Sequence, residues 1–214
     1  MPGMPVKKSS EVLGELPLFE VLEPSVKNGN ITNEQMCCIL AAVKKFDPSN
    51  IFEFGTFDGR TTLNLAEYSR KDTRIFTLDL PQEKFGKTVY PVGENNTQYV
   101  LGTDFKRRFK RYPCSNKITQ LWGDSASFDY EMLSILTGPI DMVFVDACHS
   151  KNYALNDSKK AKLMVRGSKN PVIIWHDYAG CWPGVTEALD QLYKDDKDFS
   201  GMMFLEDVQL VVML

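Results

Sequence analysis

The 214 residues are 43% hydrophobic and 25% charged, with a formal net charge of −3, which suits one globular domain with a full core. A mildly acidic total lacks the positive footprint that nucleic-acid binding needs, and no stretch approaches the ~20 apolar residues of a membrane span. Met1 to Ser10 has two lysines but no apolar segment behind them, so no signal peptide is expected.

Residues 1–30 are rich in proline, glycine and lysine and read as an N-terminal arm with at most one short helix, available for a homodimer contact. Thr32-Asn33-Glu34-Gln35 offers a capping box, and the helix it opens, to about Phe46, is apolar at Met36, Ile39, Leu40 and Val43. Asp47-Pro48-Ser49-Asn50 ends it. Strand and helix signals then alternate. Strands are expected at 51–54, 74–80, 116–122, 141–145 and 171–175, and helices at 61–70, 128–136, 154–165 and 185–194. Two final strands, 202–205 and 209–214, have no helix between them and must pair antiparallel, since a parallel pair needs a long crossover.

Alternating βα units imply a mostly parallel sheet with helices on both faces. Residues 31–214 thus read as a single domain, interrupted at 81–112 by a lid-like insertion carrying Pro81, Gly86, Pro91, Gly93 and Asn95-Asn96. Within it, Lys106-Arg107-Arg108-Phe109-Lys110-Arg111 is read as the solvated face of a short helix. The five cysteines, Cys37, Cys38, Cys114, Cys148 and Cys181, lack CxxC spacing and are expected as reduced thiols of a cytoplasmic protein.

Three motifs follow the first three strands of the alternation. Glu53-Phe54-Gly55-Thr56-Phe57-Asp58-Gly59 turns strand into helix at the carboxyl edge, where open α/β sheets bind ligands. Gly55 permits the sharp turn, and Gly59 is expected to let backbone approach a ligand. The Gly-x-x-x-Gly spacing is neither the Gly-x-Gly-x-x-Gly of dinucleotide folds nor a phosphate loop. Glu53 is positioned to attract an ammonium group, directly or through water. Asp79, ending the second strand, can accept from both hydroxyls of a ribose. In Leu121-Trp122-Gly123-Asp124-Ser125, Asp124 can take the exocyclic amine of adenine with Ser125 assisting, or cap a helix.

In this order the residues resemble motifs I to III of class I S-adenosylmethionine-dependent methyltransferases. The resemblance spans roughly 32–214 and extends to a small bacterial-type subgroup with an Asp-x-x-His-Ser signature, here Asp146-Ala147-Cys148-His149-Ser150, and a His-Asp pair, here His176-Asp177. It implies a doubly wound, Rossmann-like α/β fold with a seven-stranded, mostly parallel sheet and a C-terminal antiparallel hairpin. It also implies S-adenosylmethionine as cofactor, held by Glu53, Gly55, Thr56, Phe57, Asp58, Gly59, Asp79, Leu80, Gly123, Asp124, Ser125 and Asp146. Asp146, His176 and Asp177 resemble in position the divalent-metal ligands of cation-dependent small-molecule O-methyltransferases. Those sites usually carry two oxygen ligands where this chain has His176-Asp177, and histidine suits Mn²⁺ better than Mg²⁺. The metal-free alternative makes His149 or His176 the general base. Trp175, Tyr178, Trp182 and Phe57 are expected to line or roof the pocket.

The function so implied is methyl transfer to an oxygen of a small-molecule acceptor. A non-catalytic S-adenosylmethionine-binding protein, or an enzyme acting on nitrogen or a macromolecule, stays open, because a fold does not name its acceptor. A nucleotide-dependent oxidoreductase would need the Gly-x-Gly turn. A nucleic-acid methyltransferase would usually carry Asn/Asp-Pro-Pro-Tyr/Phe where this chain has Asp146-Ala147-Cys148-His149.

Overall fold

The computed structural model describes residues 3–25, 29–101 and 107–214; Lys106 of the basic run lies outside them. The chain opens with a two-residue strand β1 (Val6–Lys7) and a short helix α1 (Ser9–Leu13). Helix α2 (Asn33–Phe46) begins at the expected capping box: Gln35 N–H donates to Thr32 Oγ1 (3.2 Å) and Thr32 N–H to Gln35 Oε1 (2.9 Å). Met36, Ile39, Leu40 and Val43 are all buried, as their helical spacing requires. Left-handed Asp47 (φ 48°) closes the helix.

Next come β2 (Asn50–Phe54), α3 (Arg60–Tyr68) and β3 (Arg74–Asp79), then an insertion of short 3₁₀ turns around helix α4 (Thr97–Leu101). The alternation resumes with β4 (Ile118–Trp122), α5 (Tyr130–Thr137), β5 (Met142–Val145), α6 (Lys151–Met164), β6 (Val172–Trp175) and α7 (Pro183–Asp195). It ends with the hairpin β7 (Met203–Leu205) and β8 (Leu210–Met213).

Among the described residues the strands form one sheet in the order β1-β7-β8-β6-β5-β2-β3-β4. Only β8 runs against its neighbours, because the short link 206–209 leaves no room for a crossover. The sheet has eight strands, one more than the seven expected. The extra one is β1, whose two exposed residues carry no apolar signal. Backbone pairing joins it to β7, with Phe204 N–H donating to Pro5 O (2.8 Å) and Glu206 N–H to Lys7 O (3.0 Å), while flanking Met4 packs in the core and Ser9 donates to Asp207.

Period-two alternation divides the core between the two faces of the sheet. Phe52, Phe54, Val143, Val145 and Ile173 pack with residues of α5, α6 and α7 on one face. Ile51, Ile75, Met142, Phe144 and Ile174 pack with residues of α2 and α3 on the other. Trp175, expected at the pocket, belongs to the first of these clusters; it is fully buried, and its Nε1–H donates to Ser158 Oγ (2.9 Å). Tyr178 likewise turns away to Phe204 and Asp190. The parity of β6 sends Trp175 to the same face as Ile173.

Register sets up the site. Phe54 of β2 is opposite Leu78 of β3 and Val145 of β5, and Val145 is opposite Trp175 of β6. The next residue on each strand therefore falls at one edge: Gly55, Asp79, Asp146 and His176. The β2 turn passes so close to β5 that a Cβ at Gly55 (φ +87°) would stand 2.0 Å from Asp146 O. Gly55→Ala is expected to destabilise the fold by about 3 kcal/mol or more through backbone clash and left-handed strain. The melting temperature should fall by roughly 6 °C or more; an unchanged melting curve would contradict this packing.

Candidate active site

A cavity of about 500 Å³ opens at this edge, where β3 and β5 flank β2 and the chain departs toward opposite faces of the sheet. Of the expected residues, Gly55, Thr56, Phe57, Asp58, Asp79, Leu80, Gly123, Asp124, Ser125, Asp146, His149, His176 and Asp177 all line it. Glu53 and Gly59 do not.

Glu53 is a correction. Its side chain is turned into the protein and accepts from the hydroxyls of Thr62 and Thr77, so it faces no ligand amine. Burial pushes its carboxyl up to about 8; the two hydroxyl hydrogen bonds oppose that shift, and the charges of Asp146 and Asp79 add to it. The network runs on toward the cavity: Thr56 and Thr77 hydroxyls meet at 2.7 Å, and Gln120 Nε2 donates to Thr56 Oγ1 (2.9 Å). Gly59 is a second correction. Its φ of +81° and the Phe109 ring, 2.7 Å from where a Cβ would lie, explain the glycine without any ligand.

That Phe109 belongs to the basic run, which is not a solvated helix face. Arg107 and Phe109 are buried, and only a 3₁₀ turn (Arg108–Arg111) forms. Arg107 Nη2 lies 2.7 Å from Asp79 Oδ2, and Arg108 Nη2 lies 2.7 Å from Asp58 Oδ2. Carboxylates in a water-poor wall demand counter-charge, and consecutive arginines supply it.

Asp124 accepts from three protein donors, Val89 N–H (2.7 Å), Tyr153 OH (2.8 Å) and Ala126 N–H (3.0 Å). It fastens the insertion to the pocket wall. Arg60 does the same for the N-terminal segment, donating to Glu23 O (2.7 Å), Ile31 O (2.8 Å) and Asn33 Oδ1 (2.6 Å). Gly29 and Asn30 thereby reach the cavity.

The ends of β5 and β6 carry the two histidines of the chain. His176 Nδ1 stands 3.1 Å from Asp146 Oδ1 and 3.2 Å from Asp177 Oδ2, while Nε2 faces Gln35 Oε1 (3.3 Å). Both ring nitrogens thus meet acceptors. Burial disfavours charge on His176, but the two carboxylates outweigh it and raise its pKa well above the ordinary range. His176, expected as base or metal ligand, lines the cavity and bridges Asp146 and Asp177 through Nδ1.

Burial alone would raise Asp177; hydrogen bonds from His149 and His176 instead hold it well below the ordinary carboxylate range. Its backbone is left-handed (φ 64°), a conformation stored at a functional corner. His149 Nε2 lies 2.9 Å from Asp177 Oδ2, and Nδ1 lies 2.5 Å from Asn96 Oδ1 of the insertion. Its ring stacks on Trp182 (centroids 4.0 Å, 10°), with Tyr99 edge-on at 5.7 Å.

Among the described residues, donor atoms of Asp146, His149 and Asp177 lie within 4.8 Å of one another. Two oxygens and one imidazole nitrogen fit Mn²⁺, Fe²⁺ or Zn²⁺ better than Mg²⁺. Asn96, Tyr99, Asn30, Arg60 and Arg107 are site residues that sequence reasoning missed. Asn95-Asn96 within the insertion and the arginine pair were the available signals.

Residues 52–178 match a family described as a methyltransferase domain, and the chain belongs to that family. No curated protein matches the sequence. Among solved structures, it resembles an O-methyltransferase from Bacillus cereus in complex with SAH (14% identity, TM-score 0.53, 88% of this chain and 84% of that one). It also resembles the O-methyltransferase TomG from Streptomyces achromogenes, involved in tomaymycin synthesis and solved with SAM (16% identity, TM-score 0.51, 86% and 81% of the two chains). A methyltransferase from Podospora anserina, SAH-bound, is matched over 69% of this chain and 53% of its own length, at 20% identity and TM-score 0.49. The chain thus spans about half the length of that protein. The fold is the Rossmann-like methyltransferase fold.

Buried Glu53 makes stability depend on pH. Its folded value of about 8 exceeds its ordinary 4.5, so its contribution is present below pH 4.5 and is lost as pH rises through about 8. Urea denaturation of wild type and Glu53→Gln from pH 5 to 9 should show wild type losing ground by an amount on the order of a few kcal/mol across that window. A difference that stays constant with pH would contradict this.

Proposed function

We propose that the protein transfers a methyl group from S-adenosylmethionine to an oxygen of a small-molecule acceptor. The observation that carries this reading is the alignment of Gly55, Asp79 and Asp146 along one cavity edge, with the His149–Asp177 pair beside them. Asp79 keeps part of its carboxylate open to the cavity, where it can accept from both hydroxyls of a ribose. Leu80 and Gly123 offer flat, apolar walls for a purine. Asp124 accepts from Val89, Tyr153 and Ala126, so it also holds the wall that adenine would meet.

S-adenosylmethionine, when bound, supplies an electrophilic sulfonium methyl group. The protein then has to align an acceptor oxygen and remove its proton. His149 is placed for this. Asp177 orients it through Nε2, and Asn96 Oδ1 occupies, at Nδ1, the position an acceptor hydroxyl takes once Asn96 withdraws. Trp182 fixes the ring plane from one side. Coverage of the cavity by insertion residues Val92, Asn95, Asn96 and Tyr99 favours a small molecule over a macromolecule.

A second reading rests on the cluster of Asp146, His149 and Asp177. A divalent ion held there would acidify the acceptor hydroxyl, which matters most for an aliphatic alcohol. Dialysis against chelator, followed by addition of Mn²⁺ or Mg²⁺, separates the two: loss and recovery of turnover favours the ion, and no change favours His149 alone.

Calorimetry with S-adenosylhomocysteine tests the cofactor assignment, and absence of binding at millimolar ligand would overturn it. His149→Ala and Asp177→Ala are each expected to lower kcat by about 10²–10⁴ while leaving S-adenosylhomocysteine affinity unchanged. A parallel loss of affinity would mean that the cofactor and acceptor halves of the cavity have been exchanged.

A further inference from the structure

We propose that Arg107 is a positioning residue for nucleoside recognition, acting through Asp79, which it holds as an oriented carboxylate from the protein side of the cavity. The inference rests on the reading in which Asp79 accepts the ribose hydroxyls.

Three observations support it. The Arg107 side chain is 1% exposed and does not line the cavity, whereas the Asp79 side chain is 18% exposed and does. The guanidinium therefore reaches the carboxylate from behind and leaves its open side to a ligand. Second, the guanidinium lies over the Trp122 ring, 5.0 Å from its centroid, so a planar cation is held flat between an aromatic face and a carboxylate. Third, the chain is pinned immediately after that contact. Arg108 N–H donates to Asp58 O (2.9 Å), Arg108 Nη2 pairs with Asp58 Oδ2, and the Phe109 ring fills the space over Gly59. The motif that turns β2 into α3 thus anchors the arginine that serves the end of β3.

The chemical need is plain. Burial pushes the Asp79 carboxyl above the ordinary carboxylate range; the charge and hydrogen bond of Arg107 are the largest influences against that, followed by Leu80 and Phe57 N–H groups. A protonated acid loses acceptor capacity and cannot take two hydroxyls in the same way. Arg107 and, from β2, Glu53 are the charged groups facing Asp79; β4 presents Trp122. The Asp79 charge helps to raise Glu53, so each pH series is repeated in the Glu53→Gln background, where the remaining difference between wild type and variant belongs to Asp79.

The test is calorimetric affinity for S-adenosylhomocysteine from pH 6 to 9 in wild type, Asp79→Asn, Arg107→Gln and Arg107→Lys, with thermal melts on each. Arg107→Gln should bind about tenfold more weakly at pH 7 and recover toward wild type by pH 9, because its Asp79 loses a proton only at higher pH. Arg107→Lys keeps the charge but loses the planar stack on Trp122, so it should lose only a few-fold in affinity and keep the wild-type pH profile. A loss in Arg107→Gln that is equal at every pH marks a merely structural role and overturns the proposal. Should the glutamine variant not fold, the lysine variant decides: a tenfold, pH-independent loss overturns the proposal, and retention supports it. Unchanged affinity in Asp79→Asn, or no binding by wild type, overturns the ribose reading instead and takes this inference with it.

Discussion

Too many carboxylates converge on too little water. Parallel pairing brings the ends of β2, β3, β5 and β6 to one edge, and with them come Asp58, Asp79, Asp146 and Asp177, while Glu53 lies just beneath. Each of the four at the edge is matched by a cation or an imidazole: Asp58 by Arg108, Asp79 by Arg107, Asp146 by His176, and Asp177 by both histidines. Glu53, which has no cation, is instead held by hydroxyls and pushed toward its neutral form. An unpaired buried charge would cost several kcal/mol, so these partners are conditions for the fold as well as for the site.

The same pairs decide what covers the cavity. Segments with little regular structure are hard to hold by apolar burial, and here they are tied down by polar contacts to the pocket wall. Asp124 takes the insertion through Val89, His149 meets it again through Asn96, and Arg60 grips the N-terminal segment at Glu23 and Ile31. Groups that would contact ligand therefore also set the position of the cover.

The two histidines are held alike. His176 meets Asp146 and Asp177 at Nδ1 and the Gln35 amide oxygen at Nε2, and His149 meets Asp177 at Nε2 and the Asn96 amide oxygen at Nδ1. They differ in what carries the amide: Gln35 belongs to helix α2, whereas Asn96 belongs to the insertion that covers the cavity.

Hydrophobic periodicity made most of the fold legible: α2 with its capping box, the five βα units and the terminal hairpin all follow from local pattern. The positions of Gly55, Asp79, Asp124 and Asp146 at the cavity edge follow from the same pattern, since a strand end is a local event and parallel pairing aligns such ends. Tertiary structure alone decided which way side chains turned and what neutralised them. The parity of Glu53 on β2 sends it inward to Thr62 and Thr77, and Trp175 is drawn into the core. Strand β1 forms where the open edge of β7 has backbone groups to satisfy, with Met4 and Ser9 anchoring the chain on either side. Arg107 and Arg108 looked like a solvated charge run because their partners lie some thirty to fifty residues away in sequence. Local pattern encodes where a chain turns. The long-range demand of buried charge for counter-charge is met only in three dimensions.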